Sequence, residues 1–122
     1  MGVHHVVLRS PDPAGLAAFY AAAFDLPELR RRDDEQGLYS VWLDLGEGVI
    51  LMVERGERPP RGGSGQGWDG LFLRAEPGTG PGWEQRWAEL DLAVVGRTAA
   101  TLYVLDPDGN RAGVSSFPDA LG

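Results

Sequence analysis

Two stretches far apart in the chain, His5-Val6-Val7-Leu8-Arg9 and Gly70-Leu71-Phe72-Leu73-Arg74, superimpose without a gap. A strand-like pentad that occurs twice constrains the fold more than any other feature, because a duplicated half of this size is an architecture in itself. The residues downstream of each copy agree. After the first, Ser10-Pro11 ends the strand, and Asp12-Pro13 supplies an N-cap acceptor and a preset φ for a helix start. Leu16, Phe19, Tyr20, Ala23 and Phe24 then recur at helical spacing. Strands are predicted from Glu28 to Asp33, Leu38 to Leu45 and Val49 to Glu54, the last two joined by the hairpin Gly46-Glu47-Gly48. After the second copy, Trp83, Trp87 and Leu90 mark a helix face, and Leu92 to Arg97, Thr101 to Leu105 and Arg111 to Phe117 are predicted strands. Both halves are predicted as β-α-β-β-β.

With 122 residues, 43% of them hydrophobic, the chain suffices for one sizeable core. The expected fold is therefore α+β: one domain, 1–122, of two βαβββ modules with mixed, curved sheets enclosing a concave pocket. Module one spans 1–54 and module two 68–122. Residues 55–67 combine Gly, Pro and charge without an apolar side chain and are predicted to be a mobile connector. The absence of cysteine excludes disulfides, thiolate metal clusters and a thiol nucleophile, and suits a reducing compartment. No leader or spanning segment is recognised in the first strand, so the expected location is the cytoplasm. A net charge of −7 argues against nucleic acid and anionic membranes as partners.

Three features carry a family resemblance: His5-Val6-Val7-Leu8-Arg9 with Asp12, the helix-borne Phe19-Tyr20, and Asp106-Pro107-Asp108-Gly109-Asn110 ahead of the last strand. Together they resemble the vicinal-oxygen-chelate superfamily, which groups glyoxalase I, bleomycin-resistance proteins, fosfomycin-modifying enzymes, methylmalonyl-CoA epimerase and extradiol dioxygenases. The usual Leu-Gly-Leu after the first helix is Phe24-Asp25-Leu26 here, so Asp25 is expected in a left-handed turn. The resemblance implies a divalent metal held from four strands, and those positions fall on His5, Leu51, Gly70 and Gly113. One imidazole does not hold zinc, nickel or iron, which need three or four ligands. His4, the next residue along, and Glu54, three positions after Leu51, are expected on the opposite face. No metal and no cofactor are therefore expected, which disfavours metal-dependent glyoxalase, dioxygenase and epimerase activity.

Other constellations have structural readings. Asp33-Asp34-Glu35 beside Arg30-Arg31-Arg32 reads as a solvated turn, and Asp106 to Asn110 as a hairpin capped by its own side chains. Ser115 and Ser116 lack a neighbouring base, and Gly62-Gly63-Ser64-Gly65 lacks the lysine of a phosphate loop. With His5 and Gly70 inward, alternation also turns Val3, Val7, Arg9, Trp68, Phe72 and Arg74 inward, and Leu51 brings Val49 and Val53. Trp42 is placed inward because Val41, Leu43 and Leu45 read as helix-facing, and Tyr103 is added. The candidate ligand-binding set is therefore His5, Val7, Arg9, Trp42, Leu51, Trp68, Gly70, Phe72, Arg74, Tyr103 and Gly113. The bland reading of these aromatics is core that fills the concavity. The functional reading is a metal-independent small-molecule binding protein that sequesters an antibiotic or metabolite. The alternative is a metal-free lyase or isomerase with His5 as acid or base, and a third reading is an accessory subunit with a vestigial pocket. Arg9 and Arg74, equivalent in the two halves, suggest a clamp for an amphipathic, partly anionic ligand. A cationic antibiotic of the bleomycin kind is the rival. The resemblance further implies a homodimer.

Overall fold

The structure, a computed structural model, describes residues 1–57 and 70–122. It divides into two compact units, Met1–Pro59 and Pro60–Gly122. The first contains β1 (His5–Ser10), α1 (Pro13–Phe24), β2 (Glu28–Asp34), β3 (Gly37–Gly46) and β4 (Val49–Arg55). The second contains β5 (Gly70–Arg74), α2 (Gly80–Glu89), β6 (Gly96–Arg97), β7 (Thr101–Leu105) and β8 (Arg111–Ser115). The sheet orders, β1-β4-β3-β2 and β5-β8-β7-β6, are the same order repeated. In each sheet the first strand pairs in parallel with the last, and the other pairs are antiparallel. The α+β class and the two βαβββ modules are thus present.

Local chemistry explains the elements. The Asp12 carboxylate accepts from the backbone N–H of Gly15 at 3.1 Å, and Pro13 opens α1. The helix stops at Asp25, whose φ of 55° and ψ of 51° are left-handed, as the missing glycine requires. Leu16, Ala17, Tyr20, Ala23 and Phe24 are buried where α1 packs on β1, β3 and β4. The sheet answers with Val41, Leu43, Leu51 and Val53, none more than 1% exposed. Between β3 and β4, Glu47 and Gly48 both have positive φ, as a type I′ hairpin needs. Arg55 bonds the Leu38 carbonyl at 2.9 Å and pairs with Asp34. This pairing, with the Gln36 N–H behind it, holds the Asp34 carboxyl below its usual range.

In the second unit the buried sheet face is Leu102, Val104, Ala112 and Val114, and α2 contributes the wholly buried Trp87. Asp106 caps its hairpin through bonds from the N–H groups of Asp108 and Asn110 at 2.9 and 3.0 Å. The buried Nδ2 of Asn110 has no hydrogen-bond partner among the described residues. Several boundaries differ from the sequence prediction, among them the last strand, which ends at Ser115 and not Phe117. β1 starts at His5, not Val3. Leu90 is the C-cap of α2 and 41% exposed, so it does not extend the buried face of Trp87. The strand expected from Leu92 shrinks to Gly96–Arg97, because the Leu92 N–H is bonded to the Trp87 carbonyl at 2.8 Å, which ties this segment to the helix end.

Two glycines test the packing. A Cβ on Gly113 would lie 2.3 Å from the Leu102 carbonyl oxygen, 2.8 Å from Tyr103 Cβ and 2.9 Å from Phe72 Cδ1, whereas one on Gly82 would meet nothing within 4 Å. Gly113→Ala is expected to cost about 1–3 kcal/mol in denaturant unfolding through overpacking. Gly82→Ala, inside α2, is expected to gain about 0.5–1 kcal/mol. Equal effects of the two substitutions would contradict this packing.

Candidate functional site

A strand presents alternate residues to opposite faces, so once α1 covers one face of the first sheet the other is fixed by register. His5, Val7 and Arg9 point away from the helix, and their partners on β4 are Ile50, Met52 and Glu54. β3 adds Asp44, Trp42 and Ser40 in the same order, and β2 adds Arg30 and Arg32. Val7, Met52, Trp42 and Arg30 therefore form one row across the open face. The Arg30 guanidinium stacks 5.1 Å over the Trp42 ring, whose Nε1–H donates to Ser40 Oγ at 3.0 Å.

The second sheet repeats the row. Phe72 aligns with Gly113, Gly113 with Tyr103, and Tyr103 with Gly96. The Phe72 and Tyr103 rings meet edge to face at 6.1 Å over Gly113, and Arg111 lies 5.1 Å over the Tyr103 ring. Tyr103 also lies over Gly96, where a Cβ would be 2.1 Å from its ring. Glycine at 96 and 113 is thus what lets the two aromatics approach the sheet backbone so closely. Each open face presents an aromatic ring with an arginine on top.

Of the expected ligand-binding residues, His5, Val7, Arg9 and Trp42 share the first open face, and Gly70, Phe72, Arg74, Tyr103 and Gly113 share the second. Trp68 lies outside the described residues. Leu51 requires correction: it pairs with Val6, is 0% exposed and packs on the α1 side, as does Val53. The counterpart of Gly113 is Met52. Val3 precedes β1 and is exposed. The slip at Leu51 also misplaced Glu54, which lies on the His5 face opposite Arg9. His4 is corrected too: it stands before the strand, is exposed, and places its Nδ1 2.8 Å from His5 Nδ1. Met52, Arg30 and Arg111 escaped the sequence reading, and the register of β4 against β1 is what identifies Met52.

Side-chain chemistry at these positions does not fit the divalent metal that the fold implies. The four equivalent points now carry an imidazole, a thioether and two glycines: His5, Met52, Gly70 and Gly113. Glu54 stands four residues along from His5's partner, about 13 Å away, and Asp44 two strands across, about 9.5 Å away. Among the described residues, no three of His, Asp or Glu converge as a metal site, and the open face of the second sheet carries none of them.

Comparison with known proteins decides the family. The model of the Glyoxalase/Bleomycin resistance protein/Dioxygenase superfamily matches residues 2–88. The chain belongs to that superfamily. No curated protein matches its sequence significantly. Among solved structures, the fosfomycin resistance protein FosX of Listeria monocytogenes, in complex with Mn(II) and a dihydroxypropylphosphonic acid, is 16% identical with a TM-score of 0.75, covering 94% of this chain and 91% of that one. A lactoylglutathione lyase from Agrobacterium tumefaciens is 19% identical with a TM-score of 0.71, covering 93% and 92%. A possible glyoxalase from Bacillus cereus is 22% identical with a TM-score of 0.75, covering 94% and 98%. At these identities the likeness speaks for the glyoxalase-type fold and leaves chemistry to the residues.

Proposed function

We propose that this superfamily member is a metal-independent small-molecule binding protein of the glyoxalase/bleomycin-resistance type, cytoplasmic, that sequesters an antibiotic or metabolite. The observation that carries the reading is the replacement of metal donors by ring-bearing rows: Met52 stands between Val7 and Trp42, and Gly113 between Phe72 and Tyr103. Apolar and aromatic surface with a few convergent polar groups suits ligand binding, and glycine where a ligand donor is needed suits no metal. The neighbours named for fosfomycin resistance and lactoylglutathione chemistry support a small-molecule role. No helix among the described residues is long and apolar enough to cross a membrane.

A second reading, a metal-free lyase or isomerase, draws on the His4–His5 contact. In a neutral pair joined Nδ1 to Nδ1, one ring keeps a proton on Nε2 and the other leaves Nε2 bare, so a hydrogen-bond donor and a base stand side by side.

Titration of tryptophan fluorescence with panels of aromatic acids and basic glycopeptides, before and after exhaustive chelation, is expected to give saturable binding that chelation leaves unchanged. Binding abolished by chelation and restored by metal would overturn the first reading. Mass spectrometry of the same mixtures addresses the second: turnover lost in His5→Ala supports it, and unaltered ligand sinks it. We further propose a homodimer, the arrangement that the superfamily favours, supported by exposed apolar side chains such as Val7 and Leu29. Sedimentation at about 50 μM, well above the dissociation constant of a stable dimer, is expected to give twice the chain mass. A monomer there contradicts it.

A further inference from the structure

Arg9 and Arg74 are equivalent by sequence, but the structure surrounds them differently. Each is the exposed last arginine of its first strand, and neither guanidinium is ion-paired or hydrogen-bonded among the described residues. Arg9 aligns with Glu54, so an acidic residue is its neighbour in register on the same face. Two residues on is Gly56, and a Cβ there would lie 2.9 Å from Arg9 Cδ, so the arginine stem lies down on the glycine. At the corresponding places beside Arg74 stand Ser115 and Phe117. A hydroxyl replaces the carboxylate, and an exposed ring replaces the glycine.

The result is a cleft of about 200 Å³ lined by Phe72, Leu73, Arg74, Ser115 and Phe117. Its two rings are among the most exposed large apolar side chains of the second unit, Phe72 at 39% and Phe117 at 76%. Ser115 Oγ accepts from the Phe117 N–H at 3.3 Å and lies 2.8 Å from Thr101 Oγ, where either hydroxyl is able to donate. When Thr101 donates, the Ser115 proton is released toward the cleft. The site then offers a guanidinium fork and one O–H to an anion, with the Phe72 and Phe117 rings in its lining.

The geometry points to Arg74 and Ser115 as the anion site of this protein, taking a single-ring aromatic carboxylate or phosphonate without help from Arg9. The inference rests on the binding reading above and narrows it to a ligand class. A cleft of this volume, below the range that encloses drug-sized ligands, matches one ring with a short acidic group. It also replaces the two-arginine clamp with one arginine.

Calorimetry or ligand-observed NMR with benzoate, phenylphosphonate and neutral benzamide, each with and without chelator, tests it. The parent is expected to bind both anions at about millimolar affinity or tighter, and benzamide at least about tenfold more weakly. Arg74→Ala should lose at least about tenfold for the anions, with partial recovery in Arg74→Lys. Phe117→Ala, at an exposed position that does not support the core, should lose about threefold to tenfold. Arg9→Ala should bind like the parent. The inference is overturned if Arg74→Ala binds the anions as tightly as the parent, if Arg9→Ala loses as much, if benzamide matches benzoate, or if none of the three binds at about 10 mM. Another ligand that saturates Arg74→Ala as it does the parent would leave the broader binding reading standing. Anion binding that needs Arg74 and also disappears with chelator would remove metal-independence and keep the cleft.

Discussion

The parity of the strands governs everything the two sheets do. Each βαβββ unit closes one sheet face with buried apolar side chains, Leu51 and Val53 against α1 in the first and Ala112 and Val114 in the second. The remaining residues of every strand are thereby committed to the other face, and a slip of one position would exchange the two sets completely. The cost of such a slip is large, because it would expose side chains worth about 1.5–3 kcal/mol each when buried. The open faces are consequently as well determined as the core.

Duplication makes those open faces comparable. Val7, Met52 and Trp42 stand where Phe72, Gly113 and Tyr103 stand, and an arginine covers the last ring of each row. The two halves have diverged in how they fill the same lattice. In the first, a side chain occupies every position of the row, from Val7 through Met52 to Trp42. In the second, two glycines, Gly96 and Gly113, let Tyr103 and Phe72 spread over the backbone. The same divergence separates Arg9, which lies on Gly56 beside Glu54, from Arg74, which stands in a cleft with Ser115 and Phe117. Equivalent positions thus carry unequal chemistry, as expected when the scaffold is kept and the site changes.

Much of this was legible in the sequence because local signals and global pattern agree. The Asp12-Pro13 helix start and the capped Asp106 turn are set by the residues that stand there, and the left-handed Asp25 follows from the glycine that the family resemblance puts at that place. Leu51 was not legible: Val49-Ile50-Leu51-Met52-Val53 is apolar throughout, so alternation leaves no mark, and only pairing with Val6 and burial against α1 fix its face. Glu54 went to the wrong side with it, for the same reason. His4 was misjudged by applying strand parity one residue before the strand begins. The placement of Phe117 lay beyond reach because it stands just past the end of β8, where the Ser115 hydroxyl accepts its N–H.

The central claim is that this superfamily fold persists here without the ligands of its metal. With His5, Met52, Gly70 and Gly113 at the four points, no set of donors among the described residues remains to hold a zinc, nickel, manganese or iron ion. Elemental analysis of the protein purified without chelator tests this most directly. The account predicts well under about 0.1 equivalent of any such metal per chain, the level of adventitious carry-over. About one equivalent, lost together with His5 in His5→Ala, would contradict it.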